Sequence, residues 1–173
     1  MEWEFDFLDA IYKMHTPILD KIMIFLSTMG EAGVFWILVA VVLLFFKKTR
    51  KCGLQMAIAM LLTFIVGNLI LKNAIHRPRP CWINEEIELI VRSPKDYSFP
   101  SGHTMNGIVA SLTIFFNNKK YGIAAIILAL LIAFSRLYNY VHFPTDILGG
   151  LAIGIICAII VEYIFRKKKW KAV

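Results

Sequence analysis

Charged residues are scarce in this sequence: Asp, Glu, Lys and Arg make up 18% of its 173 residues, against about 25% in a soluble globular domain. Cysteine is also scarce, because only Cys52, Cys81 and Cys157 occur and they lie far apart, which disfavours a disulfide framework and a zinc site. Hydrophobic residues reach 58% and the mean hydropathy is +0.66, more than a domain of this size can bury. The composition therefore argues against a disordered chain, a disulfide-stapled secreted domain and a cytosolic enzyme, and it predicts an integral membrane protein.

Apolar runs predict an all-α fold, a polytopic membrane bundle of about five transmembrane helices in a single domain over residues 1–173. A helix needs about 20 apolar residues to cross the hydrocarbon core, although about 17 are enough. Runs 52–71 and 146–165 have this length. Three shorter runs reach it only with polar flanks, or must lie within protein: 31–46, 103–116 and 121–134.

Two features of the spans stay open in the sequence. Residues 18–29 form a further apolar piece, which is either an interfacial helix or the start of the first span. Gly149, Gly150 and Gly154 in the last run favour a face packed closely against another helix. Glycine is, however, common in membrane helices in any case.

The N-terminal segment carries acids where a signal peptide would carry basic residues, and no small-residue cleavage site follows. These acids are Glu2, Glu4, Asp6 and Asp9. Apolar residues recur at helical spacing opposite them, namely Trp3, Phe7, Ala10, Ile11 and Met14. We therefore expect an amphipathic helix that lies in the membrane interface.

Basic residues mark one side of the predicted bundle. If the spans alternate in direction, eleven of the nineteen Lys and Arg residues share that side: Lys47, Lys48, Arg50, Lys51, Lys119, Lys120, Arg166, Lys167, Lys168, Lys169 and Lys171. The positive-inside rule assigns this side, with the C-terminus, to the cytoplasm, so loops 72–102 and 135–145 face outward. A basic cluster is an ordinary topology signal, and we predict no nucleic-acid partner.

The two outward loops contain a set of polar residues, which are costly near a membrane and indicate function there. They form three groups: Lys72 with Arg79-Pro80, then Pro100-Ser101-Gly102-His103, then Ser135-Arg136 with His142 and Asp146. All three groups fall at predicted helix ends, so they can converge where the spans meet the outer interface.

Five of these residues suit a phosphate ligand. Ser101 is a natural N-cap, and Gly102 lets an anion approach the free N–H groups of the helix that follows. Lys72, Arg79 and Arg136 supply positive charge, and a guanidinium group matches the oxygens of a phosphate. Donors arranged in this way stabilise the charge that spreads over the oxygens during phosphoryl transfer.

The remaining residues suit acid–base and nucleophilic chemistry. His103 and His142 allow a nucleophile and a general acid or base near neutral pH. Pro144 favours a helix start, which puts Asp146 in the first turn, where it can orient the ring of His142. Each group also has an ordinary explanation by itself, as a cap, a turn or a loop at lipid headgroups. Three such groups on one predicted face argue against coincidence.

In combination these groups resemble the signature of the type-2 phosphatidic acid phosphatase superfamily, the lipid phosphate phosphatases. Its three motifs are K-x6-R-P, P-S-G-H and S-R-x5-H-x3-D, and all three match in spacing within residues 72–146. Arg77 also precedes a proline, but its distance from Lys72 does not fit the first motif. The chain is similar to small bacterial members, and the likeness in helical plan extends over nearly all of it.

The resemblance implies a role for each matching residue. His142 is then the nucleophile that forms a phosphohistidine, and Asp146 holds its ring. His103 protonates the leaving oxygen and later activates water. The phosphoryl group is bound by Lys72, Arg79, Ser101, Gly102 and Arg136. No metal and no other cofactor is expected.

The resemblance and the predicted outward site together imply a lipid phosphate or pyrophosphate substrate in the outer leaflet of the cell membrane. Undecaprenyl pyrophosphate, hydrolysed to undecaprenyl phosphate, is the leading candidate if the protein is bacterial. Phosphatidylglycerophosphate, phosphatidic acid and lipid A are the alternatives. Two other classes remain open: a vanadate-dependent haloperoxidase, which shares the three motifs, and a non-enzymatic lipid-binding or transport protein.

Overall fold

The computed structural model describes residues 2–168, and the secondary structure in that part of the chain is helical, which confirms the all-α prediction. The helices are α1 (Glu2–Tyr12), α2 (Pro17–Met29), α3 (Val34–Phe45), α4 (Arg50–Thr63), α5 (Lys72–Ile75), α6 (Pro80–Ile83), α7 (Gly102–Asn117), α8 (Lys119–Tyr138) and α9 (Pro144–Lys167). A π-helical stretch, Phe64–Leu71, joins α4 to α5. Lys169 and Lys171 of the predicted basic tail lie outside the described residues. The assignment of one domain to residues 1–173 stays a prediction.

Each predicted span coincides with a helix, but the number of spans is not fixed by length and composition. Within residues 2–168, three segments are long and apolar enough to cross a membrane: Arg50–Ile83, Lys119–Tyr138 and Pro144–Lys167. α2 and α3 add a fourth if the two helices, bent by 44°, are one span. α7 has only 16 residues and is largely buried among its neighbours, which suits a short span that lies within protein. Five spans therefore stays a prediction.

α2 and α3 form a pair bent by 44°, so residues 18–29 are either the first part of a broken span or a helix apart from the first predicted span. α2 begins where Thr16 Oγ1 accepts the N–H of Leu19 at 3.3 Å, with Pro17 in the first helical position. The break from α3 lies at Ala32 and Gly33, whose φ angles are +50° and +70°. Because of this break, α2 does not continue straight from α3. It packs against α8 and contacts the start of α7 instead.

α1 is amphipathic, but its faces differ from the prediction at two positions. Trp3 and Phe7 are about half-exposed, at 54% and 45%, and are free to meet lipid. Ile11, which we predicted on that apolar face, is buried against the bundle together with Leu8. Glu4, one of the acids predicted opposite that face, is also buried, because it is only 4% exposed. The protein-facing side of α1 therefore includes a carboxylate, and its place in the membrane interface stays a prediction.

α7 lies at the centre of the bundle and packs closely against α9 through two glycines. A Cβ on Gly150 would come within 2.9 Å of the carbonyl oxygen of Ser101 and of Cβ of Thr104. A Cβ on Gly154 would come within 3.0 Å of Cβ of Ile108. The predicted close helix packing is confirmed at both positions. It fixes the start of α7 against the start of α9.

A buried amide network joins α4, α7 and α9 at the end of the bundle that holds the basic residues. Gln55, only 1% exposed, donates from Nε2 to Glu162 at 2.6 Å, and Asn117 Nδ2 donates to Gln55 Oε1 at 2.8 Å. Arg166 Nε contacts the same glutamate at 2.5 Å. This end lies opposite the three motifs.

Candidate active site

The structure brings the three motif groups together at one end of the bundle. Six of the eight predicted site residues line one cavity of about 1560 Å³: Lys72, Arg79, Gly102, His103, Arg136 and His142. The other two, Ser101 and Asp146, are fully buried behind them. The main-chain N–H of Ser101 donates to the main-chain oxygen of Asp146 at 3.2 Å, which joins the second motif to the third.

His142 lies in the loop between α8 and α9 and is 1% exposed. Nη1 of Arg79 lies 3.1 Å from its Nε2, and Arg79 must be the donor because a guanidinium group has no acceptor. The neutral ring therefore carries its hydrogen on Nδ1 and a lone pair on Nε2. Burial lowers the pKa of His142 well below its ordinary value, and the charges of Arg79, Arg136 and Lys72 lower it further. The site thus favours a neutral imidazole.

Asp146 lies behind the ring of His142, at the start of α9. Pro144 takes the first helical position, as predicted, and Asp146 Oδ2 accepts the N–H of Phe143 at 2.7 Å and the hydroxyl of Ser98. Nδ1 of His142 is 3.4 Å from the same oxygen but makes no hydrogen bond with it or with any other described residue. Catalytic hydrogen bonds are often long before substrate binds. The carboxylate is therefore in place to accept from Nδ1 after a small movement.

Lys72 and Arg79 share a carboxylate that the sequence did not suggest. Lys72 Nζ contacts Asp96, and Arg79 Nη2 donates to Asp96 Oδ1 at 2.8 Å. Burial raises the pKa of Asp96, but the hydrogen bonds and charges of the two cations outweigh it and lower this pKa to about 2. The side chain of Asp96 is 56% exposed. The Asp96 carboxylate thus already occupies part of the predicted phosphate-binding site.

The start of α7 has the predicted position but not the predicted cap. Ser101 is the N-cap residue, yet its side chain makes no hydrogen bond to the first turn. Its hydroxyl accepts instead from Thr104 Oγ1 at 3.1 Å. A Cβ on Gly102 would meet only Asn68 Oδ1, at 3.6 Å. The N-terminus of α7 therefore remains open to an anion from the cavity.

Ser27 of α2 contacts two of the predicted site residues. Nε2 of His103 lies 3.1 Å from its carbonyl oxygen, which can only accept, so the ring donates from Nε2 and exchanges its second proton at Nδ1. Nη1 of Arg136 donates to the hydroxyl of Ser27. Among the described residues, Nε of Arg136 is buried without a partner. α2 thus orients a histidine and a cation at the cavity wall.

Several polar residues that lie outside the motifs contact predicted site residues: Ser27, Arg77, Asp96 and Ser98. Glu4 is joined to the site through Arg77. Asp96 and Ser98 lie four and two residues before the second motif, and this proximity could have indicated them. Glu4 and Ser27 have no local signal. Within residues 2–168, no group of three or more His, Cys, Asp and Glu side chains is arranged to hold a metal ion.

The cavity also has an apolar arm, which runs between α3 and α4. It is lined there by Ala40, Leu44, Leu61 and Phe64. The cationic end and the apolar arm belong to one continuous space. Such a shape suits an amphiphilic ligand with an anionic head.

Comparison with known proteins identifies the family. The family model of the PAP2 superfamily matches residues 52–170. An undecaprenyl-diphosphatase of Sulfolobus acidocaldarius is 35% identical over 79% of this chain and 66% of its own length. The undecaprenyl-diphosphatase BcrC of Bacillus subtilis is 31% identical over 82% of this chain and 72% of its own. Phosphatidylglycerophosphatase B of the same organism is 32% identical over 92% of this chain and 82% of its own length.

Solved structures share the architecture. LpxE of Aquifex aeolicus has a TM-score of 0.81 at 26% identity and covers 92% of this chain and 94% of its own. A transmembrane PAP2-type phosphatidylglycerolphosphate phosphatase of Bacillus subtilis has a TM-score of 0.79 at 26% identity. This match covers 96% of this chain and 86% of the phosphatase. A bacterial vanadium-dependent iodoperoxidase shares the fold alone, because it is only 16% identical. Its TM-score is 0.69, and the match covers 94% of this chain and 48% of the iodoperoxidase. Because the family model matches more than half of its length, the chain belongs to the PAP2 superfamily, as its three motifs predicted, and is a phosphatase of that family.

Proposed function

We propose that this protein hydrolyses the phosphate or pyrophosphate headgroup of a membrane lipid, with undecaprenyl pyrophosphate as the leading substrate. Its products are undecaprenyl phosphate and orthophosphate. Two relatives above 30% identity that are named undecaprenyl-diphosphatases support this choice. Phosphatidylglycerophosphate is the alternative, because one relative is named phosphatidylglycerophosphatase B. Phosphatidic acid and lipid A complete the set to be tested.

The shape of the cavity supports a lipid over a soluble phosphate ester. Three cations and the start of α7 surround its polar end, and the arm between α3 and α4 is apolar. A lipid can place its headgroup at the cations while its chain lies against Leu44 and Leu61, in contact with the bilayer. A small soluble ester would leave that arm unfilled. The cavity therefore favours a substrate with a long apolar chain.

The observation that carries the mechanism is the tautomer of His142. Arg79 donates to Nε2, so this nitrogen holds the lone pair that attacks phosphorus. As the new N–P bond forms, the bond from phosphorus to the leaving oxygen breaks. The hydrogen on Nδ1 moves toward Asp146, which stabilises the positive charge that the ring acquires. His103 enters this step as an imidazolium, with Nε2–H bonded to Ser27, and gives the proton of Nδ1 to the leaving oxygen, which leaves the ring neutral.

Hydrolysis of the phosphohistidine reverses these roles. A water molecule attacks phosphorus, His103 takes its proton at Nδ1, and the N–P bond breaks so that Nε2 of His142 regains its lone pair. Lys72, Arg79 and Arg136 stabilise the charge on the phosphoryl oxygens in both steps. Each residue returns to its starting protonation state once orthophosphate, the product of this second step, has left.

We place the site at the outer face of the cell membrane and the C-terminus in the cytoplasm. The basic residues at the opposite end of the bundle support this orientation through the positive-inside rule. Single cysteines at exposed Glu85, near the site, and at exposed Lys48, at the opposite end, test it in a background without the three native cysteines. A membrane-impermeant maleimide should label the first in intact cells and the second only after lysis. The reverse pattern would refute the orientation.

The activity is tested by phosphate release from detergent-purified protein in the presence of EDTA. Undecaprenyl pyrophosphate, phosphatidylglycerophosphate, phosphatidic acid and lipid A are compared for the wild type, His142→Ala and a control, His76→Asn. His76 is exposed, and asparagine tolerates its φ of +50°. Release that needs His142 and survives EDTA supports the metal-free mechanism. No release from any lipid would favour the binding or transport alternative, and release that survives His142→Ala would contradict the proposed nucleophile.

A further inference from the structure

The carboxylate of Asp146 is compensated by a cation that the motifs do not include. Asp146 is fully buried, and Oδ1, the oxygen that does not approach His142, accepts from Nη1 of Arg77 at 2.7 Å. A buried carboxylate is strongly destabilised unless it is paired and hydrogen-bonded. Of the three motif cations, Arg79 is the one that contacts the His142–Asp146 pair, and it does so at the far side of the His142 ring. Arg77 therefore provides the positive charge on the side of Asp146.

Arg77 is itself held in one position by several contacts. Its Nη1 also donates to Thr145 Oγ1 at 2.6 Å, and its guanidinium carbon lies 4.2 Å from the centre of the Phe143 ring. Phe143 in turn packs edge-to-face against Phe5 of α1, with ring centres 5.3 Å apart. Phe143 and Thr145 lie between His142 and Asp146 in the sequence. The guanidinium group thus joins α1 to the loop that holds the proposed nucleophile.

Glu4 of α1 completes the cluster. Nη2 of Arg77 donates to Glu4 Oε2 at 2.7 Å, and Glu4 Oε1 accepts from Thr145 Oγ1 at 2.6 Å. Arg77 therefore lies between two buried carboxylates, one on the N-terminal helix and one behind His142. Arg79 contacts His142 and Glu4 contacts Arg77. The charges of Arg136, Lys72 and Asp96 and the ring of His103 also act on His142 from the cavity side.

We propose that Arg77 is a positioning residue that holds the carboxylate of Asp146 toward His142, and that Glu4 of the N-terminal helix holds Arg77 in place. The kinetic part of this proposal rests on the proposed phosphohistidine mechanism. In that mechanism Asp146 accepts from Nδ1 when Nε2 attacks phosphorus. An Asp146 carboxylate that turns away leaves the ring without this acceptor.

Arg77 and Glu4 have opposite effects on proton uptake by His142. Arg77→Gln removes a positive charge, so His142 takes up its proton at a higher pH. Glu4→Gln removes a negative charge and keeps the amide oxygen as an acceptor, so His142 takes up its proton at a lower pH. Damage to the fold alone would lower activity in both variants without moving the pH limbs in opposite directions.

The first test compares kcat, KM and the acid limb of the pH–rate profile. We expect Arg77→Gln to lower kcat by about 10- to 100-fold, the range for outer residues that orient metal-binding side chains, with KM unchanged and the acid limb moved to higher pH. In Arg77→Lys, which keeps the charge, the acid limb should lie at the same pH as in the wild type. Glu4→Gln should move the limb to lower pH, and Glu2→Gln, an exposed change on the same helix, should leave the profile as in the wild type. Equal losses of kcat in Arg77→Gln and Glu4→Gln with unmoved limbs would overturn the proposal.

The second test does not need turnover. In protein labelled with ¹⁵N-histidine, the His142 signal, assigned by its loss in His142→Ala, should titrate at higher pH in Arg77→Gln and at lower pH in Glu4→Gln. If the wild type releases no phosphate from any lipid, the proposed function fails while this titration still reports on the cluster. A His142 titration that neither variant changes would overturn the positioning role.

Discussion

Arg77 and Arg79, separated only by Pro78, contact opposite ends of the His142–Asp146 pair. Arg77 Nη1 donates to Asp146 Oδ1 at 2.7 Å, and Arg79 Nη1 donates to His142 Nε2 at 3.1 Å. One guanidinium group thus lies at the acceptor end of the pair and the other at its nucleophilic end. Because only Arg79 also lines the cavity, substitutions of the two arginines should differ in kinetics.

Arg79→Gln should raise KM for the lipid and move the acid limb of the pH–rate profile to higher pH. Burial is the largest cause of the lowered pKa of His142, and the charge of Arg79 is the next. The neutral ring is the reactive form, so activity falls as pH drops through this lowered pKa, below the ordinary value of about 6.5. Without Arg79 that pKa rises toward the ordinary value. Steady-state kinetics between pH 4 and pH 9 would check this, and an unmoved limb with unchanged KM would contradict it.

Asp96→Asn should tighten the binding of orthophosphate, the proposed product. The Asp96 carboxylate contacts Lys72 and Arg79, so an incoming phosphate competes with it for both cations. A half-exposed ion pair contributes about 0.2–1 kcal/mol, so the inhibition constant of orthophosphate should fall by up to about fivefold. The measurement is product inhibition at constant ionic strength, with Glu86→Gln in the same loop as the control. Weaker inhibition by phosphate in Asp96→Asn would show that Asp96 supports the predicted phosphate-binding site instead of competing for it.

The motif residues could be predicted from the sequence because fixed spacings place them at neighbouring helix ends. Lys72 lies in the last turn of a long helical segment, Gly102 begins α7 and Asp146 lies in the first turn of α9, so the three groups converge once these helices pack. The same spacing rule excluded Arg77 from the first motif. It lies two residues from Arg79, but its role depends on Asp146, 69 positions away in the chain.

Other contacts at the site had no signal in the sequence because they depend on how distant helices pack. Glu4 meets Arg77 across 73 positions, and Ser27 meets Arg136 across 109. Periodicity identified α1 as amphipathic, but it could not show that one acid of α1 faces the protein. A buried carboxylate such as that of Glu4 is stable only with its partner present. The partner, Arg77, lies far away in the sequence, between the fixed residues of the first motif.

Gly150→Ala should lower both the melting temperature and kcat. A Cβ at this position would lie 2.9 Å from the carbonyl oxygen of Ser101 and from Cβ of Thr104, so α7 and α9 must separate. Overpacking of this kind costs about 1–3 kcal/mol, and the shift also moves Ser101 relative to Asp146. Thermal unfolding in detergent and kcat would be compared with Ala152→Val, an exposed change on the same helix. A Gly150→Ala protein with wild-type stability would contradict the close packing.

Asn68→Asp should raise KM for the lipid more than Asn68→Ala does. Asn68 lines the cavity one helical turn before Lys72, and within the described chain its buried Oδ1 has no hydrogen-bond partner. The amide can rotate to present its N–H groups to a bound phosphate, whereas a carboxylate at the same place repels it. A hydrogen bond to a charged group contributes about 1.5–3 kcal/mol, so we expect Asn68→Asp to raise KM by about 10-fold or more.

The control for this prediction is Asn118→Asp, the same chemical change at the opposite end of the bundle. Asn118 is the N-cap of α8, where its side chain accepts the N–H of Tyr121 at 3.3 Å, and aspartate caps a helix equally well. KM should therefore stay at the wild-type value in Asn118→Asp. Equal KM values for Asn68→Ala and Asn68→Asp would mean that Asn68 does not face the bound phosphate. A rise of KM in Asn68→Ala together with a larger rise in Asn68→Asp would add an amide donor of the π-helical stretch to the three cations that bind the headgroup.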